Sequence, residues 1–173
     1  EQGMSQWASA FAESGLHVEK AVGDLAGPCL FAVLMGSSRL LYAKLSERIS
    51  LRRMMLGSGI LCIAGYLLAS LSSSPVLALI GCGICGFSVG VFWPGTFSMA
   101  AASCQNGGTA MFAMLALAGD LGCSSGPGVV GMVSGVCSDN LKAGLFAAIL
   151  FPVLLLVGMQ LLKREKMRER VKT

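Results

Sequence analysis

The stretch KLSERISLRR, residues 44–53, decides the fold, because it is a short basic segment between two long apolar segments that are nearly free of charge. Its four cations are opposed by a single acid, Glu47. Moving a cation to the centre of a bilayer costs about 3 kcal/mol, so a loop of this kind stays on the cytoplasmic side of a membrane. The direction of every other segment follows once this loop is placed.

The composition is that of a membrane protein. Only 13% of the 173 residues are charged and 54% are hydrophobic, whereas a soluble domain has about 25% charged residues. Such a chain cannot coat a water-soluble globule, and its 23 glycines suit helices that pack closely in lipid. The sequence therefore predicts an all-α integral membrane protein whose surroundings are a lipid bilayer.

The net charge of +4 does not indicate a nucleic-acid partner. All but two of the 13 Lys and Arg lie at Arg39 with the basic loop, or in the tail KREKMRERVK, residues 163–172. No aromatic residues that could stack on bases are interleaved with them. We interpret both clusters as orientation signals that contact, at most, anionic lipid headgroups.

Six apolar segments predict five full membrane spans and one partial span at the start of the chain. They are residues 1–13 (partial), 25–42, 54–71, 76–101, 109–136 and 143–162. Alternate crossings from the inner loop place the polar stretches 13–24 and 138–142 outside and return the tail, residues 163–173, to the cytoplasm. We expect a multi-pass protein of the cell (plasma or inner) membrane with a cytoplasmic C-terminus.

Asp120 is the sharpest functional signal. It lies 11 residues into its predicted helix, which is about 16 Å deep by helical rise and near the bilayer midplane. A carboxylate at that depth is costly unless it faces water or a partner, so it marks a proton, ion or substrate site. The alternative is a protonated or hydrogen-bonded packing residue.

Three further polar or aromatic residues are candidates. Glu1 and Gln2 lie about 20 Å below the outer surface if the first helix ends near residue 14, and would line the same cavity as Asp120. Trp7 either stacks on a sugar face or packs between helices. Arg39 either snorkels to the inner headgroups as an anchor or clamps the substrate.

Glycines and prolines predict where helices pack closely or bend. Gly122 to Pro127 (GCSSGP) and the glycines around it let one helix lie against a neighbour, while the prolines free backbone carbonyls and introduce bends. These packing and bending positions are Gly119, Gly122, Gly126, Pro127, Gly131 and, in the preceding span, Pro94.

Motifs of enzymes and metal sites are not found. The C-x-x-C pair Cys82 and Cys85 is embedded in glycines within an apolar span, without a second pair, and the chain has one His. No nucleophile elbow, phosphate loop or metal-binding helix motif is present. We therefore expect no enzyme, no metal and no cofactor.

The spans and motifs of this chain resemble the C-terminal half of a transporter of the major facilitator superfamily. The resemblance covers essentially the whole chain. The run GDLG, Gly119 to Gly122, looks like the penultimate helix of the family, and FWPGTFS, Phe92 to Ser98, resembles its aromatic-Pro-x-Thr signature. The loop motif of the family, Gly, three residues, Asp, Arg and then paired Arg, matches at Ala43, Glu47, Arg48, Arg52 and Arg53.

The closest resemblance is to the fucose-permease-like branch, whose members are mostly proton-coupled sugar symporters. It rests on Glu1, Gln2 and Trp7 together with SSRLLYAKLSERISLRR, residues 37–53. The resemblance implies twelve helices that work by alternating access, with two six-helix halves rocking around a midplane site. This chain would be the second half, a six-helix half bundle, and its partner the missing N-terminal half. The resemblance also gives the charged loop a gating role through ion pairs on the inner side.

Secondary active transport of a small polar solute, a sugar by proton symport, is thus the leading hypothesis, with Asp120, Glu1 and Gln2 at the site. Two alternatives stay open. One is efflux of drugs or metabolites by an antiporter of the same superfamily. The other is a half-size membrane subunit that takes part in assembly and does not transport, since the chain is either a cropped fragment or a half-size protein.

Overall fold

The computed structural model describes residues 1–16, 20–104, 106–138 and 140–172, and within these ranges the chain is built from helices. There are eight helical segments in the described ranges. They are α1 (Gln2–Leu16), α2 (Lys20–Leu45), α3 (Leu51–Leu71), α4 (Pro75–Val89), α5 (Phe92–Ser103), α6 (Gly108–Val136), α7 (Leu141–Ala147) and α8 (Leu150–Lys172).

The eight segments form six helical units, because α4 continues into α5 and α7 into α8 after short interruptions. The interruptions lie at residues 90–91 and 148–149. Each precedes a proline, Pro94 or Pro152, whose missing N–H leaves the carbonyl four residues earlier without its helical partner. The bend predicted near Pro94 thus coincides with a break one turn earlier, whereas α6 is continuous through Pro127.

Several helices extend further into polar sequence than the predicted spans. α1 reaches Leu16 and α2 already begins at Lys20, so residues expected in an outer loop are helical. A helix satisfies its own main-chain hydrogen bonds, so it can continue beyond the hydrocarbon region into the interface. Residues 17–19 and Asp139, in the predicted outer segments, and Thr173, at the end of the basic tail, lie outside the described residues.

Three stretches of the described residues are long and apolar enough to cross a membrane, judged by length and composition. They are Leu51–Leu71, Val76–Ser103 and Leu141–Leu162. α2 and α6, with 26 and 29 residues, are long enough to cross a membrane when judged by length alone.

α4 is the centre of the bundle and packs between α2 and α3. A Cβ atom at Gly86 would lie 2.6 Å from the main-chain oxygen of Phe31 in α2. On another face, a Cβ atom at Gly81 would lie 2.7 Å from the main-chain nitrogen of Ala69 in α3. Glycine therefore allows α4 to approach both neighbours at backbone distance. α1 also reaches α4, where the Cys82 thiol donates to Sδ of Met4 at 3.3 Å.

α3 is bonded to the α7–α8 unit near both of its ends. Nη2 of Arg52 donates to the main-chain oxygen of Met159 at 2.6 Å. At the opposite end, Nζ of Lys142 donates to the main-chain oxygen of Ser72, the C-cap residue of α3, also at 2.6 Å. Since each bond has a charged donor, each is stronger than an ordinary neutral hydrogen bond. α3 and α7–α8 thus form one connected scaffold.

α6 packs against α1 and α7 through its C-terminal half. Its two buried residues are Val130 and Ser134, and Gly144 of α7 lies against the main-chain oxygen of Val130. The first half of α6, residues 108–121, lies on the same side of the bundle as the basic loop and is mostly exposed; the exposed fraction of Met114 is 70%. This half of α6 therefore has few neighbours among the described residues.

Candidate functional site

One cavity of about 360 Å³ lies within the bundle, and α1, α3, α6 and both interrupted units contribute to its wall. Its size falls within the range of about 300–1,000 Å³ that small-molecule sites occupy. Because residues from nearly every unit meet here, the cavity is the candidate functional site.

The start of α1 supplies the polar edge of the cavity. Glu1 and Gln2 both line it, with Glu1 exposed and Gln2 half-buried. The structure thus brings together these two residues that sequence reasoning had assigned to a cavity. A carboxylate and an amide next to each other can accept and donate hydrogen bonds to the same polar ligand.

α6 presents a wall of main chain to the cavity. Gly119, Gly122 and Gly126 line the cavity with Cys123, and their spacing of three and four residues places the glycines on one helix face. At Gly126 a Cβ atom would lie 3.8 Å from the main-chain nitrogen of Gly3, an ordinary van der Waals distance, so α1 and α6 are in contact here. The glycines predicted as packing positions therefore also give the cavity its width.

The two helix interruptions meet at the same cavity. Phe92 and Trp93 follow the break between α4 and α5, and Phe151 and Pro152 follow the break between α7 and α8. Each break is thus accompanied by an aromatic residue directly before a proline. Tyr66 of α3 adds another ring to the wall. The site is an aromatic-walled cavity with a polar edge.

Asp120 is beside this cavity and not in its lining. The residue follows Gly119 along α6, but a helix turns about 100° per residue, so Asp120 faces a different side and is exposed. Its main-chain oxygen accepts a hydrogen bond from the Ser124 hydroxyl at 3.0 Å, and the carboxylate has no partner among the described residues. The expectation that Asp120 lines the cavity with Glu1 and Gln2 therefore differs from the arrangement in this structure.

Trp7 also lies outside the lining. Its ring packs on Gly131 of α6, where a Cβ atom would lie 3.4 Å from Cζ2 of the indole. The indole Nε1 is buried and has no hydrogen-bond partner within the described ranges. Of the two roles considered for Trp7, this position corresponds to packing between helices.

The residues of the basic loop are remote from the cavity. Arg39, Glu47, Arg48 and Arg53 are exposed, as is Ala43. Arg52 differs because it is half-buried through its bond to α8. Loop and cavity are therefore separate parts of the molecule, joined through α3.

Sequence reasoning did not assign any of the aromatic residues of the cavity wall to the site, namely Tyr66, Phe92, Trp93 and Phe151. A usable signal was present, because both Trp93 and Phe151 stand directly before a proline inside an apolar segment. Tyr66 is a phenol inside an otherwise apolar span, which is a second signal. For metals, the described part of the chain has no group of three or more His, Cys, Asp or Glu side chains that could hold an ion.

Comparison with known proteins gives the family. The family model of the Major Facilitator Superfamily matches residues 2–127, which is more than half of the chain. No curated protein and no solved structure matches the chain. The match and the helical architecture together confirm the predicted all-α half bundle, and the apolar helices indicate a multi-pass membrane protein. The chain belongs to the Major Facilitator Superfamily and is a membrane transporter of that superfamily.

Proposed function

We propose that the protein is a secondary active transporter of a small polar solute, a sugar, which it moves by alternating access and proton symport. The observation that carries this proposal is the cavity itself, in which an acid and an amide face several aromatic rings. The apolar C–H face of a sugar packs on aromatic rings, while its hydroxyl groups need donors and acceptors. Trp93 and Tyr66 would contact the ring face, and Glu1 and Gln2 the hydroxyls.

Proton coupling is assigned to the two carboxylates near the cavity. Glu1 lies in the lining, and Asp120 lies one residue beyond the lining position Gly119. A carboxylate within a membrane is costly when charged, so gain and loss of a proton changes the stability of the conformation that buries it. Protonation of Glu1 would depend on whether the solute is bound, while protonation of Asp120 would depend on the conformation of α6.

The exposed face of α6 supports a protein partner. An exposed carboxylate one turn from the exposed Leu117 cannot face lipid at low cost, so this face requires protein or a water-filled cavity. We assign it to a second six-helix half of the same transporter, against which this half rocks. Ion pairs of Glu47, Arg48, Arg52 and Arg53 would then stabilise one state on the inner side.

The test is uptake of a panel of monosaccharides into proteoliposomes that contain this half bundle together with the second six-helix half, under an inward proton gradient. Glu1→Gln and Asp120→Asn each retain shape but remove the charge. We expect either change to reduce coupled accumulation at least tenfold, whereas Glu13→Gln, at an acid of α1 that does not line the cavity and has no assigned role in gating, should leave it unchanged. Accumulation that does not depend on the gradient, or that survives both substitutions, would contradict proton symport through these residues.

The orientation can be tested with native cysteines at the two ends of α6. Cys104 and Cys137 are both exposed and flank this helix. With the basic loop in the cytoplasm, an impermeant thiol reagent added to intact cells should label Cys137 and spare Cys104. Labelling of Cys104 alone would reverse the assignment of the cytoplasmic C-terminus.

A second candidate function is efflux of lipophilic cations, and the wall of the cavity favours it. Apart from Glu1 and Gln2, the described residues of the lining are mainly aromatic, aliphatic and glycine residues, and none of these described residues is Lys or Arg. An aromatic cavity with one acid also suits a bulky cation. Export of a fluorescent lipophilic cation, with no sugar uptake, would select this alternative.

A further inference from the structure

Three aromatic rings connect the cavity to the exposed half of α6. The rings of Trp93 and Phe97, one turn apart in α5, have centroids 4.6 Å apart with an interplanar angle of 52°. Phe97 in turn stacks on Phe112 of α6, at 5.6 Å and 11°. Only Trp93 lines the cavity, so the two phenylalanines form a second layer behind it.

The indole of Trp93 is held from a further side by α6. A Cβ atom at Gly119 would lie 2.5 Å from Cζ3 of Trp93, so the ring occupies the space that any larger residue would need. Trp93 is nevertheless 45% exposed, and it lines the cavity. The Trp93 ring is therefore in contact with α6 and also accessible to a ligand in the cavity, as a ligand-binding surface requires.

The two helices that carry these rings are otherwise poorly connected. The main chains of α5 and α6 approach each other little, while α5 packs on α3, where Gly95 lies against Met55. The break at residues 90–91 also removes part of the helical hydrogen bonding that would fix α5 to α4. The position of the indole consequently depends on the ring contacts more than on the backbone around it.

We propose that Phe97 and Phe112 are positioning residues, which hold the Trp93 indole as the solute-binding surface of the cavity and so set the affinity for the solute. This inference rests on the proposed transport function and adds two residues outside the cavity to it. Aromatic pairs prefer defined tilted and stacked geometries, so removal of one ring leaves the indole free to adopt other rotamers. Phe112 also makes the affinity sensitive to the position of α6.

The first arm of the test needs no solute. In a Trp7→Phe background, Trp93 is the one tryptophan in the chain, and its fluorescence anisotropy in liposomes reports how tightly the indole is held. Phe97→Leu and Phe112→Leu should lower the anisotropy and increase quenching by acrylamide. Phe112→Tyr keeps a ring at this position and should restore the original values. Met114→Ala, also exposed on α6 but outside the three rings, is the matched control and should change neither.

The second arm measures transport of the best monosaccharide of the panel. We expect Phe112→Leu to raise KM by about three- to tenfold, as loss of one aromatic pair predicts, while the maximal rate and the Phe112→Tyr variant stay at wild-type values. Cys85, which is buried between α3 and α4, should remain unreactive to thiol reagents in every folded variant. Reaction of Cys85 in Phe112→Leu would show that this variant is not correctly folded, and the milder Phe112→Met then takes its place.

The outcomes separate the inference from the function on which it rests. Unchanged anisotropy in both leucine variants would overturn the positioning role, and so would lower anisotropy with an unchanged KM. If the wild-type protein transports no sugar, the proposed function fails, while the fluorescence arm still decides whether Phe97 and Phe112 hold the indole.

Discussion

The α4 helix and the α6 helix are both rich in glycine, yet they occupy opposite environments. α4 is enclosed by α1, α2 and α3; Gly81 and Gly86 lie against neighbouring main chain, and Gly83 lies against leucine side chains of α2. In α6, a Cβ atom at Gly122, Gly128 or Gly135 would meet no described atom within 4 Å, and only two residues of the helix are buried. Glycine content therefore shows that close packing is possible, while the neighbours decide whether it occurs. α4 is closely packed in the interior of the bundle, whereas α6 is loosely packed among the described residues.

The largest effect is expected from a direct comparison of one glycine in each helix. Gly86→Ala places a Cβ atom 2.6 Å from the main-chain oxygen of Phe31, which cannot move without shifting α2. We expect a loss of about 2–3 kcal/mol in the free energy of unfolding. Gly128→Ala, with open space around it, should be neutral or stabilising by up to about 1 kcal/mol through helix propensity.

The stability of both variants is measured by thermal unfolding in the same detergent, and the reaction of the buried cysteines with a thiol-reactive coumarin reports unfolding. Equal losses in the two variants would abolish the distinction between a fixed α4 and a free α6.

The next largest effect concerns the hydrogen bond by which Arg52 connects α3 to α8. Arg52→Gln removes the charged donor to the main-chain oxygen of Met159, and because Arg52 is half-buried we expect a cost of about 1–2 kcal/mol. Arg53→Gln, at an exposed neighbour in the same basic loop, should change stability by less than about 0.5 kcal/mol. The same unfolding assay applies. An equal effect of both substitutions would show that the charge of the loop, and not the bond to α8, stabilises the bundle.

A smaller effect on stability, with a larger one on the cavity, is expected for Gly119→Ala. The added Cβ atom would meet the side chain of Trp93 and not main chain, so the indole can yield and stability should fall by less than about 1 kcal/mol. The displaced ring should shift the emission of Trp93 in the Trp7→Phe background. Gly122→Ala, which also lines the cavity but has no atom within 4 Å, is the control and should leave the emission unchanged.

The smallest effect is expected for Trp7→Phe, at the contact between α1 and α6. The substitution removes a buried donor that has no partner among the described residues, so the lost packing is offset by the removal of an unsatisfied group. We expect stability within about 0.5 kcal/mol of the wild type and unchanged transport, measured by unfolding and uptake. A loss of more than about 1 kcal/mol would indicate an acceptor for Nε1 in another conformation.

The sequence was sufficient for the architecture because hydrocarbon imposes strong and local constraints. Apolar segments of spanning length and two basic clusters predict helices and their directions without knowledge of tertiary contacts. The superfamily followed from the short motifs around the basic loop and Gly119, and the family match confirms it. The branch, the solute and the coupled proton stay predictions.

The site was predicted less completely, since it depends on which face each helix turns inward. Glu1 and Gln2 are in the cavity lining, whereas Asp120 faces away from it, although their predicted depths are similar. The depth of a residue in the membrane follows from its position along the helix. The side of the helix that faces the cavity depends on packing partners that are distant in sequence. The glycines at 119, 122 and 126 mark the cavity face of α6, so a helical projection would have placed Asp120 on another face.

The two bonds at the ends of α3 bear on the membrane itself. Arg52 and Ser72 are separated by 20 helical steps, which corresponds to about 30 Å along the axis, the same as the thickness of a typical hydrocarbon core. Both cations, Arg52 and Lys142, would then lie at opposite headgroup layers, where water and phosphate compete for the same donors. Lipids with markedly shorter or longer acyl chains should loosen one of these bonds before they disturb the cavity, so bilayer thickness becomes a control on how α3 is held.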